Sequence, residues 1–126
     1  YAHHPTEIKA LHQAVTEMYP NDKKQIVFQP HLFSRTKDFG IEFAESLSAF
    51  DEIILLDIYP AREKPIEGIT SSWLLKMIDS DGKALAQKSQ LSTLLKDSDC
   101  IVKLMVGAGD IGAEVAIVTK NLDHEN

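Results

Sequence analysis

Ile26-Val-Phe-Gln-Pro-His-Leu-Phe-Ser-Arg-Thr36 is the stretch from which the fold is read. Ile26, Val27 and Phe28 form a β-branched and aromatic run of the kind found in strand cores. Pro30 ends the ladder, because proline has no N–H to donate. His31, Phe33, Ser34 and Arg35 follow, and a helical pattern begins near Asp38. A strand that runs through a polar loop into a helix is the βα corner at which open α/β sheets bind ligands. An imidazole and a guanidinium at that corner point to an anion, a carboxylate or a phosphate.

Outward from this corner, strands and helices alternate. Upstream, Pro5 suits a first helical turn, Glu7 favours its positive end, and Ile8, Leu11, Val15 and Met18 fall at helical spacing before Pro20. Downstream, Phe39, Phe43, Leu47 and Phe50 mark one helix face, with Ser34 or Thr36 as the expected cap and Asp38 in the first turn. Ile53 to Tyr59 (IILLDIY) is a nearly continuous apolar run, which predicts a strand covered on both faces. Ser71 or Ser72 is expected to cap a helix bearing Trp73, Leu74, Met77 and Ile78. Residues 84–88 read as a weak strand. Leu91, Leu94 and Leu95 predict a short helix, and Cys100 to Val106 a further strand. Ile111, Val115, Val118 and Leu122 predict a last helix, with residues 123–126 as a frayed tail. This alternation predicts an α/β fold: a Rossmann-like, mostly parallel sheet with helices on both faces and right-handed crossovers.

At 126 residues the chain is expected to form a single domain over 1–126. Its 44% hydrophobic and 25% charged residues are ordinary for a globular protein. A net charge of −6 argues against nucleic acid, whose phosphates require a basic face. No apolar run reaches transmembrane length and no basic amphipathic helix suits a membrane surface. The single cysteine, Cys100, excludes an intramolecular disulfide and fits a reducing compartment. The opening Tyr-Ala-His-His-Pro, without a methionine, predicts a segment cut from a longer chain.

Several residues invite a chemical reading. Gly107-Ala-Gly-Asp-Ile-Gly112 is a literal G-x-G-x-x-G after a strand. The dinucleotide fingerprint also needs a second strand with an acidic residue about 20 positions on, which is not expected here. The remaining readings of Gly107 and Gly109 are a tight packing turn, or amides that face an anion or nucleotide. His3 and His4 are adjacent, so in extended chain they point apart, and no histidine spacing suits zinc; no metal site is expected. Asp57 reads as a hydrogen-bonded residue at a strand end, Cys100 as inert packing and Trp73 as core. There is no P-loop and no Ser-His-Asp arrangement.

Tyr1-Ala-His-His-Pro-Thr-Glu7, Phe28-Gln-Pro-His31 and Ser34-Arg35-Thr36 carry a more specific message. Together they resemble the carboxyl-terminal domain of the Mur ligase family, in its branch of UDP-N-acetylmuramate–L-alanine ligases. That branch has DDYxHHPTE and FQPHxYSRT at these places, followed by LDVY…PIxG and GAGDI. Here the latter two are Leu56-Asp-Ile-Tyr59 with Pro65-Ile-Glu-Gly68, and Gly107-Ala-Gly-Asp-Ile111. The matches come in order and span almost the whole chain.

The resemblance implies a bacterial cytoplasmic ligase that joins L-alanine to UDP-N-acetylmuramate in peptidoglycan synthesis. It would use ATP and Mg2+ and pass through an acyl phosphate. ATP would be held mainly by a central domain, and this third domain would act as a lid that brings the amino acid. Carried over residue by residue, Tyr1, His3, His31 and Arg35 would line the alanine site, with Arg35 on the alanine carboxylate. Leu32 stands where many members have arginine, and Phe33 where many have tyrosine. The family's two aspartates before Tyr1 and the strand leading to them are absent from this sequence. The resemblance therefore implies an isolated domain without catalytic activity. It also implies an unpaired sheet edge through which a homodimer could form. The competing readings are a non-catalytic α/β ligand-binding or interaction module, and the tail of a nicotinamide-dependent oxidoreductase.

Overall fold

A computed structural model describes residues 4–107 and the pair Ala116–Ile117, the latter for its backbone only. The order is α1 (Pro5–Met18), β1 (Lys24–Gln29), α2 (Phe33–Asp38), α3 (Gly40–Leu47), β2 (Glu52–Leu55), α4 (Ser71–Met77) and β3 (Lys83–Leu85). A 3-10 turn (Lys88–Gln90), α5 (Leu91–Asp97), β4 (Val102–Gly107) and β5 (Ala116–Ile117) follow. The five strands lie in the order β3-β2-β1-β4-β5. The pairs β1–β2, β1–β4 and β2–β3 are parallel, and β4–β5 is antiparallel. The mostly parallel α/β sheet read from the sequence is thus present.

Central position explains the composition of β1, which is buried along its whole length. Ile26 and Phe28 face one layer with Ile53, Leu55, Leu104 and Val106, covered by Ile8 and Val15 of α1, Phe43 and Leu47 of α3 and Leu74 of α4. Val27 faces the opposite layer with Ile54, Leu56, Leu91 and Leu95. Each such large apolar side chain contributes roughly 1.5–3 kcal/mol of burial free energy. The chain steps from β1 to β2 to β3 with helices on one face, then returns across to β4 with α5 on the other. Travel in opposite directions with helices on opposite faces is what a single crossover hand requires. The strand order therefore reverses between β1 and β4.

Three local expectations are corrected. The helix expected to carry Phe39 to Phe50 is broken into two at Phe39, which is the C-cap of α2 and the N-cap of α3. Gly40 follows, and a Cβ there would lie 2.6 Å from Cη2 of Trp73, so the break brings α3 against α4. Ser34 and Thr36 consequently lie inside α2 rather than at a cap. The cap of α4 is Thr70, one residue before the two serines, and its Oγ1 accepts from Trp73 N–H at 3.1 Å. Trp73 packs half-buried at the edge of the core. Finally, Ala116–Ile117 pair with Leu104 and Met105 as a strand, where a helix over 111–122 was expected. The rest of that stretch lies outside the described residues.

Pro30 leaves a gap in the β1–β2 ladder, since in the Phe28↔Leu55 register the N–H of residue 30 would serve the Leu56 carbonyl. Ser71, buried at the start of α4, donates its hydroxyl to that carbonyl instead. Ser71→Ala therefore orphans a buried acceptor and should cost about 1–3 kcal/mol, read from denaturant midpoints. Unchanged stability would show that the carbonyl finds another donor.

A second stability effect comes from His12 on α1. Its ring meets Phe50 edge-on at 4.8 Å. Burial, then the nearby Lys24 charge, hold its pKa below the ordinary 6.5. The unfolded chain therefore binds the extra proton more readily. This contribution is complete above pH 6.5 and fades as pH falls through 6.5 toward the folded value. His12→Gln should flatten the stability profile in that window, as followed by thermal melts.

Candidate functional site

The βα corner sits at the carboxyl end of the central strand, beside the reversal of strand order. Gln29 lies opposite Gly107 of β4 in register, so both end at that crevice. This is the place at which open α/β sheets bind ligands. Past Pro30 the ladder resumes one residue out of step: Tyr59 N–H donates to the Pro30 carbonyl at 2.8 Å and Leu32 N–H to the Tyr59 carbonyl at 2.8 Å. His31 and Tyr59 form a parallel bridge there. The Tyr59 ring stacks on the His31 imidazole, with centroids 5.7 Å apart and planes at 19°.

Leu32 turns the chain into α2 with φ of 72°, a backbone region that side chains other than glycine rarely enter. Thr36, fully buried, holds this turn: its N–H and its Oγ1 both donate to the Leu32 carbonyl, at 3.1 and 2.8 Å. One turn of helix then returns Arg35 to His31, four residues earlier, with Nη1 3.1 Å from Nδ1. A guanidinium can only donate, so Nδ1 is the acceptor and the imidazole is neutral with its proton on Nε2. The pair thus joins an imidazole and a guanidinium at one corner. Among the described residues, Arg35 makes no ion pair with a carboxylate. Glu63, whose carboxyl feels the Arg35 charge, is hydrogen-bonded to Ser34. Its Oε1 accepts from Ser34 N–H at 3.1 Å, and its Oε2 accepts from the Ser34 hydroxyl. The Ser34 hydroxyl first, then the Ser34 amide, hold the Glu63 carboxyl below its usual range, with the Arg35 charge a lesser contributor.

His31 and Arg35 are therefore brought together as the sequence suggested. Tyr1, His3 and Gly109 lie outside the described residues. His4 is the N-cap of α1, its N–H donating to Glu7 Oε1 at 3.1 Å, and its ring meets Phe39 edge-on at 5.5 Å. That contact starts α1 beside the end of the helix that carries Arg35. Asp57 presents its backbone carbonyl to Gln29 Nε2 at 3.3 Å, a partner at a strand end. It lies between two clefts of about 360 and 410 Å³, one shared with Gln29 and Lys88, the other with Phe33 and Ile66. Cys100 is buried, and that burial pushes its thiol up and away from reactivity. Among the described residues no cluster of three or more His, Cys, Asp or Glu converges to hold a metal.

Sequence reasoning missed Tyr59 and Glu63. Tyr59 was visible as the end of an apolar run and of a family-like segment, without a role, and Glu63 as one charge in a charged loop. The signal that singles them out is the resumed ladder, which no local pattern encodes.

With this geometry in view, relatives are informative. The family described as "Mur ligase, glutamate ligase domain" matches residues 1–111. The chain is 62% identical, over 99% of its length, to the UDP-N-acetylmuramate–L-alanine ligase of Flavobacterium psychrophilum. It is 64% identical over 99% of its length to that of Christiangramia forsetii, and 46% over 97% to that of Porphyromonas gingivalis. It spans only 28% of the first two relatives and 27% of the third. The α/β sheet and these matches together place the chain in the Mur ligase family, in its glutamate ligase domain.

Proposed function

We propose that this domain binds the amino acid in a ligase that joins L-alanine to UDP-N-acetylmuramate. The single observation that carries the reading is the guanidinium of Arg35, oriented by neutral His31 and without an ion-paired carboxylate of its own among the described residues. An amino acid zwitterion needs a cationic fork for its carboxylate and a free path for its amine. Arg35 supplies the fork, and His31 holds it in place through Nδ1. Held by its carboxylate, alanine is left with its amine pointing away from the corner, toward an activated carboxyl group. Tyr1 and His3 complete the site in this reading, and Gly107 and Gly109 border it at the β4 end.

His31 and Arg35 are both half-exposed. Enclosing a substrate at such an open corner takes a second surface, which supports a lid role against the rest of a longer ligase. ATP and Mg2+ belong to that other part, in the bacterial cytoplasm. The names of the relatives support the substrate assignment.

The test is alanine titration in a full-length ligase carrying this domain, with phosphate release as readout. Loss of a charge-assisted contact costs about 1.5–3 kcal/mol, so Arg35→Ala should weaken apparent alanine affinity roughly 10- to 150-fold and leave ATP affinity nearly unchanged. Unaltered alanine dependence would move the carboxylate clamp elsewhere. The 126 residues alone should release no phosphate in the same assay. Alanine-dependent release by them would show that the chemistry resides within this domain.

A further inference from the structure

The loop after β2 touches the corner at two places that the amino acid site does not itself use. Tyr59 is pinned through its backbone to Pro30 and Leu32, and its ring lies on His31. The chain then reverses through Ala61, whose φ of 53° is left-handed, and Glu63 N–H donates to the Pro60 carbonyl at 2.9 Å. That reversal brings the Glu63 carboxylate onto Ser34, 29 residues away in sequence, where both oxygens are engaged. Ser34 is the residue immediately before Arg35.

We propose that Glu63 is a positioning residue for amino acid binding: by holding the amide and hydroxyl of Ser34, it fixes the first turn of α2 and with it Arg35. Three features support this role over a merely structural one. α2 has only six residues and no side-chain cap of its own, so its first turn depends on a donor–acceptor pair from outside. The contact reaches the backbone of the residue next to the guanidinium, so its loss moves Arg35 directly. And although the Arg35 charge reaches Glu63, the carboxylate bonds to Ser34, so it acts on the guanidinium through its neighbour. The substrate carboxylate thus meets a guanidinium held in place by an acid bonded to the residue before it. Functionally the proposal rests on the amino acid reading given above.

The experiment compares Glu63→Ala, Glu63→Gln, Arg35→Ala and the double variant Glu63→Ala/Arg35→Ala in the full-length ligase. Glu63→Ala should raise KM for alanine about 5- to 15-fold, with kcat and KM for ATP changed by less than about twofold. Glu63→Gln keeps an acceptor oxygen for the Ser34 amide and should recover most of the affinity. In the double variant, removing Glu63 should add less than about twofold once Arg35 is gone, since both act through one contact. A fall in kcat at unchanged KM, or additive effects in the double variant, would show a role in stability alone and overturn the proposal. So would a wild-type KM in Glu63→Ala while Arg35→Ala is impaired. Absence of alanine dependence in the wild type would instead overturn the underlying functional reading, and the role of Glu63 with it.

Discussion

The parallel ladder between β1 and β2 is the constraint on which the rest depends, and its interruption matters as much as its course. A proline at position 30 removes one donor from the middle of the sheet. The unpaired Leu56 carbonyl is taken by Ser71, which ties the start of α4 to the sheet. The strands then re-engage one residue out of step at His31 and Tyr59. That slip pairs His31 with Tyr59, and the turn at Leu32 follows directly. A regular ladder would have carried the chain straight on and left no corner.

Much of this was legible beforehand because burial and period are local properties. The apolar run of Ile53 to Tyr59 announced a strand covered on both faces, which in the fold ends at Leu55, and Leu91, Leu94 and Leu95 announced α5. The contact between His31 and Arg35 was legible because they are four residues apart, close enough for one helical turn to join them. What failed was decided by distant partners. Phe39 and Gly40 break the helix because α3 must approach Trp73, 33 positions on. Thr70 rather than Ser71 caps α4, since the Ser71 hydroxyl is committed to Leu56. Glu63 carried no local signal, because its meaning lies in Ser34.

Family membership and geometry contribute different things. The relatives say which ligases carry this domain, and the matched length says that it is a part of them. The structure adds the geometry on which the proposed amino acid site rests: an imidazole accepting from a guanidinium, beside an acid bonded to Ser34. Leu32 fits this account, because the turn at that position is set by Thr36 and the ladder rather than by its own side chain.

The brevity of α2 has a consequence for motion. Six residues are too few for a helix to persist by its own hydrogen bonds. Its order is borrowed from Thr36 inside and Glu63 outside, whereas β1 is locked between two neighbours along its whole length. Local opening should therefore begin at α2 and the 59–63 loop as one cooperative unit, at a free energy well below that of global unfolding. Backbone amides of Ser34 and Thr36 would exchange with solvent deuterium by such partial openings, while those of Ile26 to Phe28 wait for the whole domain to come apart.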